Sequence, residues 1–188
     1  MGQYYKVVIL SESGEFIRVW IYPSYGIKLM EHSYQDTTFM KAIEHILSVQ
    51  GMFYKSRIVW AGDYAPEEKE KEKEKIDAST DEKQNLHHLA SEENPIHKDK
   101  LFVLTKIATN PLPYIVNHSK KLFVDKTKVK DIHPLPLLVS EGNGNGGGDY
   151  YGTNEELCGT WSRDIISMDS TIPYGYTELE CNFTPLEI

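Results

Sequence analysis

The sequence predicts a single α+β domain, built on a mainly antiparallel sheet with one main helix and interrupted by a charged insertion. Short runs of β-branched and aromatic residues, separated by turn residues, recur in the first third and again after residue 110. Only one clear segment carries the spacing of an amphipathic helix. The chain has 188 residues, 40% of them hydrophobic, which suits one substantial core. We therefore expect one domain over residues 1–188, with most strands joined by short turns.

The first residues predict a β-hairpin followed by one more short strand. Tyr4–Leu10 and Phe16–Tyr22 are rich in β-branched and aromatic residues, and Ser11–Glu15 between them has turn composition. Residues 23–26 contain Pro and Gly and end this pattern. Ile27–Met30 is then expected to form the short strand.

An amphipathic helix is predicted next, followed by another strand. Asp36 or Thr37 can cap the helix, because a short polar side chain accepts a hydrogen bond from a free amide of the first turn. Gly51 is well placed to end it. Arg57–Trp60 predicts the following strand. The apolar positions of the helix that would face the core are Phe39, Ala42, Ile43, Ile46 and Leu47.

The composition changes abruptly at Pro66. Glu67–Lys75 consists of Glu and Lys alone, and polar sequence continues to about Lys100 with few large apolar side chains. Such a segment cannot bury enough apolar surface to offset the entropy of ordering it. We expect a solvated insertion at about 66–99, partly helical or disordered, that splits the domain. A partner-binding tail is the other interpretation.

The second half returns to strand-like patterns. A second hairpin is expected around residues 117–120, and the prolines of the segment after residue 131 favour an edge strand or an extended lead into a loop. The predicted elements are a strand at Leu101–Ile107, a hairpin of Tyr114–Val116 and Leu122–Val124, the extended lead Ile132–Val139, a strand in Trp161–Met168, and a short strand after Pro173.

Charge and composition exclude several classes of partner. The net charge of −8 argues against duplex nucleic acid, because phosphate contacts need clustered Lys and Arg. No stretch approaches the roughly 20 apolar residues that cross a bilayer. The two cysteines, Cys158 and Cys181, are too few to stabilise a domain of this size as disulfides, so thiols and a cytoplasmic location are expected. The sequence leaves the oligomeric state open.

The glycine-rich loop Glu141–Asp149 is the strongest candidate for a site. Five glycines in nine residues give bare backbone, which suits positive φ angles or a close approach of main-chain amides to a ligand. Its glycines match a dinucleotide-binding pattern, but no amphipathic helix follows to receive a pyrophosphate. Its oxygens also resemble a calcium loop, but Gly152 stands where the bidentate carboxylate is needed. We therefore predict no cofactor and no metal.

Aromatic and charged residues near this loop favour a binding site. Tyr150 and Trp161 could stack on a ring, Arg163 could hold an anion, and the loop amides could donate hydrogen bonds. We expect a binding module for a small polar or anionic ligand or a protein partner. The predicted ligand-binding residues are Glu141, Asn143, Gly147, Gly148, Asp149, Tyr150, Trp161 and Arg163.

An enzyme is the alternative. His133 or His118 could act as general base beside Asp149 or Asp164, with or without a divalent metal, in a hydrolase or transferase. An imidazole within about 3 Å of an acidic side chain in a cleft would favour this hypothesis. If these histidine and aspartate side chains lie far apart, a binding function or no function at this place is favoured over an enzyme.

Several blocks are distributed along nearly the whole chain except the charged insertion. They are Met1–Lys6, Leu29–Ser33, Trp60–Tyr64, Tyr114–His118, Phe123–Asp125, His133–Leu137, Glu141–Gly144 and Gly146–Tyr150. These blocks resemble those of a family of small hypothetical proteins from bacteria and phages. The resemblance implies a shared fold without implying a reaction.

Overall fold

Two antiparallel hairpins, one from each half of the chain, lie in one eight-stranded mixed sheet. The computed structural model describes residues 2–23, 28–68, 84–91 and 105–186. The strands are β1 (Tyr5–Leu10), β2 (Ile17–Ile21), β3 (Ser56–Gly62), β4 (Tyr114–Asn117), β5 (Leu122–Asp125), β6 (Ser140–Glu141), β7 (Ile165–Asp169) and β8 (Thr177–Glu178). The α-helices are α1 (Leu29–His32), α2 (Thr38–Leu47), α3 (Leu86–Leu89) and α4 (Pro134–Leu138).

The order of strands joins the two hairpins through β3 and β7. Neighbours run β2-β1-β3-β7-β4-β5-β8, and β6 pairs with β3 outside this path. The pairs β3–β6 and β5–β8 are parallel, whereas the five other pairs among the described residues are antiparallel. With α2 as the main helix, the predicted α+β class is confirmed.

Strand β3 fixes the position of the glycine-rich loop. Strand β1 pairs along one edge of β3 from Arg57 to Gly62. The other edge is shared, because β7 pairs with Ser56 and Arg57 and β6 pairs with Trp60 and Ala61. Since β6 leads directly into the glycine-rich loop, the loop begins beside the carboxyl end of β3.

Both faces of the central strands are buried. Side chains alternate between the faces of a strand, so β1 and β3 need apolar residues at successive positions. This explains why both read as continuous apolar runs. On one face Val7, Ile9, Ile58 and Trp60 pack with α2 and α4 in the main core. On the other face Val8, Leu10, Val59 and Ala61 pack with Leu86, Leu89 and Ala90.

The predicted hairpins and the main helix are confirmed. Thr37 is the N-cap of α2, and its hydroxyl accepts a hydrogen bond from the Met40 amide at 3.1 Å. The helix ends at Leu47, before Gly51. Gly51 is needed in the turn that follows, because a Cβ there would lie 2.1 Å from the His45 carbonyl oxygen. The chain therefore turns closely beneath the last helical carbonyls.

Two predicted extended segments are wrong, because each contains a short helix. The prediction Ile27–Met30 falls partly outside the described residues, and Leu29 begins α1. Within Ile132–Val139 the structure forms α4, with Pro134 in its first turn. The prolines cost little there, because the first-turn amides of a helix have no intrahelical acceptor.

The described part of the insertion is packed against the sheet. The Glu68 amide donates to the Gln84 carbonyl at 3.1 Å, so the residues on either side of 69–83 lie next to each other. A solvated insertion, partly helical or disordered, was expected at 66–99. Residues Leu86–Leu89 are helical, but they bury Leu86 and Leu89, which corrects the expectation of a solvated segment for this part. Residues 69–83 and 92–99 lie outside the described residues.

Two further strand predictions need correction. Residues 101–104 of the predicted strand Leu101–Ile107 lie outside the described residues, and residues 105–107 form no strand. In Trp161–Met168 the strand begins only at Ile165, after a turn. Among the described residues, no helix has the length and apolar character of a membrane span.

Candidate functional site

Asp149 closes the glycine-rich loop on itself. Its Oδ2 accepts hydrogen bonds from three successive amides, those of Gly144, Asn145 and Gly146, at 2.9, 3.0 and 2.9 Å. Its Oδ1 accepts from the Tyr5 hydroxyl of β1 at 3.1 Å. The carboxylate is almost completely buried. The Asp149 carboxylate therefore accepts from the three backbone amides that were expected to donate to a ligand.

The rest of the loop is also bonded within the protein. The Asn143 side chain accepts from the Tyr150 amide at 2.8 Å and donates to the Tyr150 carbonyl at 3.1 Å. Gly147 accepts from the Gln3 amide at 3.2 Å. Gly148, with φ of +84°, accepts from the Met30 amide at 3.1 Å. The loop is a fixed part of the fold, held against the start of β1 and against α1.

The calcium-like pattern of the loop does not form a cation site. The oxygen of Asn143 and the carboxylate of Asp149 accept hydrogen bonds from loop amides, so they do not converge on a common centre. Glu141 points to Arg163 at the other end. Within the described residues there is no group of three His, Cys, Asp or Glu side chains that could hold a metal ion.

Two predicted stacking residues are inside the core, which corrects their assignment to a ligand. Tyr150 and Trp161 are each 1% exposed. The rings of Tyr150 and Phe183 pack edge to face, with their centroids 5.3 Å apart. The Tyr150 hydroxyl donates to the Thr184 carbonyl at 3.1 Å. The Trp161 amide donates to the Leu138 carbonyl, which ties its turn to α4. Neither ring is available to stack on a ligand.

Arg163 holds two anions, and both belong to the protein. Its guanidinium donates to Glu141 through Nε at 2.7 Å and through Nη2 at 3.0 Å. It also pairs with Glu68 in a forked arrangement through Nη1 at 2.9 Å and through Nη2. Ser162 donates to Glu141 at 2.6 Å. Burial alone would lower the pKa of Arg163, but the hydrogen bonds that its guanidinium donates to the Glu68 and Glu141 carboxylates raise the pKa above its ordinary value.

A cleft opens at this ion-pair cluster, and we call it the charged cleft. It lies between the start of the insertion, the start of the glycine-rich loop and the turn before β7, and its volume is about 620 Å³. The Arg163 side chain remains 33% exposed, whereas that of Glu68 is 4% exposed. The cleft is lined by Pro66, Glu67, Glu68, Glu141, Gly142, Gly159, Ser162 and Arg163.

His133 is a structural residue in the core, so its prediction as a general base is wrong. Its Nδ1 accepts from the Leu135 amide at 3.2 Å and caps α4. Its Nε2 therefore carries the proton and lies 3.0 Å from Glu44 Oε1. Burial lowers the pKa of His133, and Lys126 also pairs with Glu44. Both ring nitrogens are occupied and the ring is 1% exposed.

The expected pairing of His118 with Asp149 or Asp164 is also wrong. His118 bonds to Ser167 and Tyr176, whereas Asp164 accepts from the Asn117 side chain at 2.8 Å and pairs with Lys120. The sequence analysis missed Ser167 and Tyr176, as it missed Glu68. Their partners are distant along the chain, so only the sheet topology brings them together.

The chain was compared with models of protein families, with curated proteins and with solved structures, and none of the three comparisons found a match.

Proposed function

We propose that the protein is a binding module whose ligand site is the charged cleft beside the glycine-rich loop. The observation that carries the proposal is the balance of charge at the ion-pair cluster. Two carboxylates, Glu68 and Glu141, share the single guanidinium of Arg163. These three side chains carry two formal negative charges and one positive charge, in a concave site of ligand size.

The charge balance favours a cationic group on the ligand over an anionic one. A ligand anion would need donors, but Nε, Nη1 and Nη2 of Arg163 already donate to protein carboxylates. The amides of residues 144–146 donate to Asp149. An ammonium or guanidinium group would instead meet carboxylate oxygens that carry excess negative charge. We therefore expect a positively charged group on the ligand, whereas the sequence alone predicted a small polar or anionic ligand or a protein partner.

Two glycines, Gly142 and Gly159, line the cleft. A Cβ at Gly142 would lie 2.1 Å from Nε2 of Gln3, and a Cβ at Gly159 would lie 2.7 Å from the Ser140 carbonyl oxygen, so packing within the protein requires both glycines. Both have positive φ, at +102° and +76°. A free polar amine and a basic side chain of a protein partner would offer the same chemistry to this site.

Calorimetric titration with agmatine, which carries both a guanidinium and an ammonium group, tests the proposal. We expect binding that weakens as salt is added, because exposed charges are screened. Glu67→Gln removes an exposed carboxylate of the cleft wall and should weaken binding about threefold, the order expected for one solvent-exposed charge. Glu155→Gln, on an exposed glutamate outside the cleft lining, should leave binding unchanged.

Four outcomes of these titrations test the proposal and the kind of ligand. Binding of inorganic phosphate without binding of agmatine would contradict the proposal, as would equal losses in the two glutamine variants. An arginine-containing peptide that binds more tightly than agmatine would identify the ligand as a protein segment. Equal or weaker binding of the peptide would identify a free amine.

A further inference from the structure

A hydrogen-bonded chain of five side chains connects β4, β7 and the turn before β8. The Tyr54 hydroxyl donates to Asp169 Oδ1 at 3.3 Å, and the Ser167 hydroxyl donates to Asp169 Oδ2. His118 Nε2 lies 2.7 Å from Ser167 Oγ, and His118 Nδ1 lies 3.0 Å from the Tyr176 hydroxyl. The charged cleft shares none of these residues.

The Asp169 carboxylate, which lies between Tyr54 and Ser167 in this chain, sets the direction of the other bonds. A carboxylate can only accept, so the Ser167 proton points to Asp169. Ser167 Oγ must then accept from Nε2–H of His118. Nδ1 of His118 is left with its lone pair, and it accepts the proton of the Tyr176 hydroxyl. The chain therefore holds a neutral imidazole in one tautomer, directed at a phenol.

A short turn presents Tyr176 to the imidazole. The Tyr176 amide donates to the Pro173 carbonyl at 3.3 Å, and Gly175 within the turn has φ of +79°. The rings of His118 and Tyr176 meet edge to face with centroids 5.7 Å apart. Tyr176 is partly exposed, whereas Ser167 is fully buried. Tyr176 is therefore the more exposed of the two hydroxyl-bearing residues that bond to His118.

The surroundings keep His118 neutral. Burial lowers its pKa below the ordinary value of 6.5, and the charge of Lys55 lowers it further, while the charge of Asp169 acts in the opposite direction. The Lys55 ammonium lies 5.2 Å from the centre of the Tyr54 ring, which bonds to Asp169. An uncharged imidazole at neutral pH is the form that can accept a proton.

We propose that Tyr176 is a nucleophile and His118 its general base, in a group-transfer site that goes beyond the proposed binding function. A nucleophile and a base within hydrogen-bond reach, with the base oriented by a third group, are the arrangement that covalent catalysis uses. Here Ser167 and Asp169 are the positioning residues. Ser167 itself is excluded as nucleophile by its burial.

The chemical step follows from these roles. The phenolic oxygen of Tyr176 forms a bond to the acyl or phosphoryl centre of the substrate, and the phenolic proton moves to Nδ1 of His118. The bond to the leaving group breaks, and the leaving group departs with the electron pair. Because His118 retains the proton at that moment, the substrate class is an ester or mixed anhydride whose leaving group is stable as an anion.

Labelling with a sulfonyl fluoride tests the site without knowledge of the natural substrate. Phenylmethylsulfonyl fluoride replaces its S–F bond by an S–O bond to a nucleophile and releases fluoride. Tyr174 is an internal control in the same turn, since it is fully exposed. Mass spectrometry with fragment sequencing should show Tyr176 labelled at least about a hundredfold faster than Tyr174, the lower end of the typical contribution of general acid–base catalysis.

Two variants and a pH profile separate this role from a structural one. His118→Asn should slow the labelling of Tyr176 to the rate of Tyr174 and leave Tyr174 unchanged. Ser167→Ala keeps the imidazole but breaks its link to Asp169, and it should give an intermediate rate. In the unchanged protein the rate at Tyr176 should fall in acid with a midpoint below 6.5, as His118 becomes protonated.

The proposal is overturned if Tyr176 reacts no faster than Tyr174, or if His118→Asn leaves the fast reaction in place. Should that variant fail to fold, the pH profile decides. A rate at Tyr176 that follows the pH dependence of Tyr174 excludes assistance by His118.

Discussion

The Tyr5 hydroxyl donates a hydrogen bond to Asp149 across 144 residues of chain. This bond links the first strand to the carboxylate that organises the glycine-rich loop. Burial and the Asp149 charge together raise the pKa of Tyr5 above its ordinary value, so the phenol remains protonated as the donor. The loop and β1 are therefore parts of one structural unit.

Asp149→Ala should destabilise the protein strongly, because three loop amides and the Tyr5 hydroxyl lose their common acceptor. We expect a loss of about 3 kcal/mol in the free energy of unfolding. An unsatisfied buried Tyr5 hydroxyl costs about 1–3 kcal/mol, and each of the three amides adds less, because water can reach Gly144, Asn145 and Gly146. Urea denaturation measures this loss. Tyr5→Phe removes one of the four bonds and should cost about 1 kcal/mol. Equal losses in the two variants would contradict the central role of the carboxylate.

Two neighbouring glycines should respond differently to alanine. Gly148 has φ of +84°, and a Cβ there would lie 2.3 Å from Cδ of Lys28. Gly148→Ala should therefore cost about 1–3 kcal/mol of stability. At Gly147 a Cβ would meet only the Gly2 Cα, at 3.6 Å, so Gly147→Ala should change stability by less than about 0.5 kcal/mol. Thermal unfolding of the pair compares them, and a reversed order would show that the loop adopts another conformation.

Arg163→Met should destabilise the protein, because it removes the cation of the ion-pair cluster. The variant leaves Glu68 and Glu141 without the cation between them, and Glu68 is almost completely buried. We expect a loss of about 2–3 kcal/mol, at the lower side of buried pairs because Arg163 is partly exposed. Lys128→Met is the matched control, since it breaks an exposed ion pair with Glu178 and should cost clearly less stability than Arg163→Met. Urea denaturation of both variants decides whether the cluster differs from a surface ion pair.

Stability should fall in acid partly because of His87. Burial, with smaller effects of Lys6 and His88, lowers the pKa of His87 from 6.5 to about 3 in the folded protein. The unfolded chain therefore binds a proton that the folded protein excludes. The contribution is fully present above pH 6.5 and is lost as the pH falls towards 3.

A variant isolates this contribution of His87. The slope for one group is at most about 1.4 kcal/mol per pH unit. His87→Gln should therefore flatten the decline measured by urea denaturation between about pH 7 and about pH 5, a window chosen from the shift above. An unchanged decline in the variant would place the acid sensitivity in other groups.

Local patterns were sufficient to predict the hairpins and α2. In Tyr4–Leu10 and Phe16–Tyr22 the residue types and the turn between them agree, so short-range chemistry fixes the pairing. Thr37 was recognisable as a helix cap for the same reason. The sequence could not distinguish an extended Pro-rich segment from α4, because a proline in the first turn of a helix leaves the same signal.

The sequence indicated the bare backbone of the glycine-rich loop but not the contacts that its residues make. The glycines of Glu141–Asp149 indicated bare backbone, but they could not reveal that Asp149 would accept from the amides. Arg163 was recognised as an anion-binding side chain, and its anions proved to be protein carboxylates. One of them, Glu68, lies in a run whose composition indicated a solvated segment. Tertiary contacts between distant residues decide such assignments, and a single sequence does not encode them in any local pattern.

The hydrogen bond between the Glu68 amide and the Gln84 carbonyl brings the two ends of residues 69–83 together, which makes this position suitable for the insertion of a foreign peptide. Where two ends of an excursion meet, altering its length changes the closure entropy only slowly, by about 0.6 kcal/mol for each doubling. A tag or a reporter sequence exchanged for residues 69–83 should therefore be displayed beside the charged cleft while the sheet folds as before.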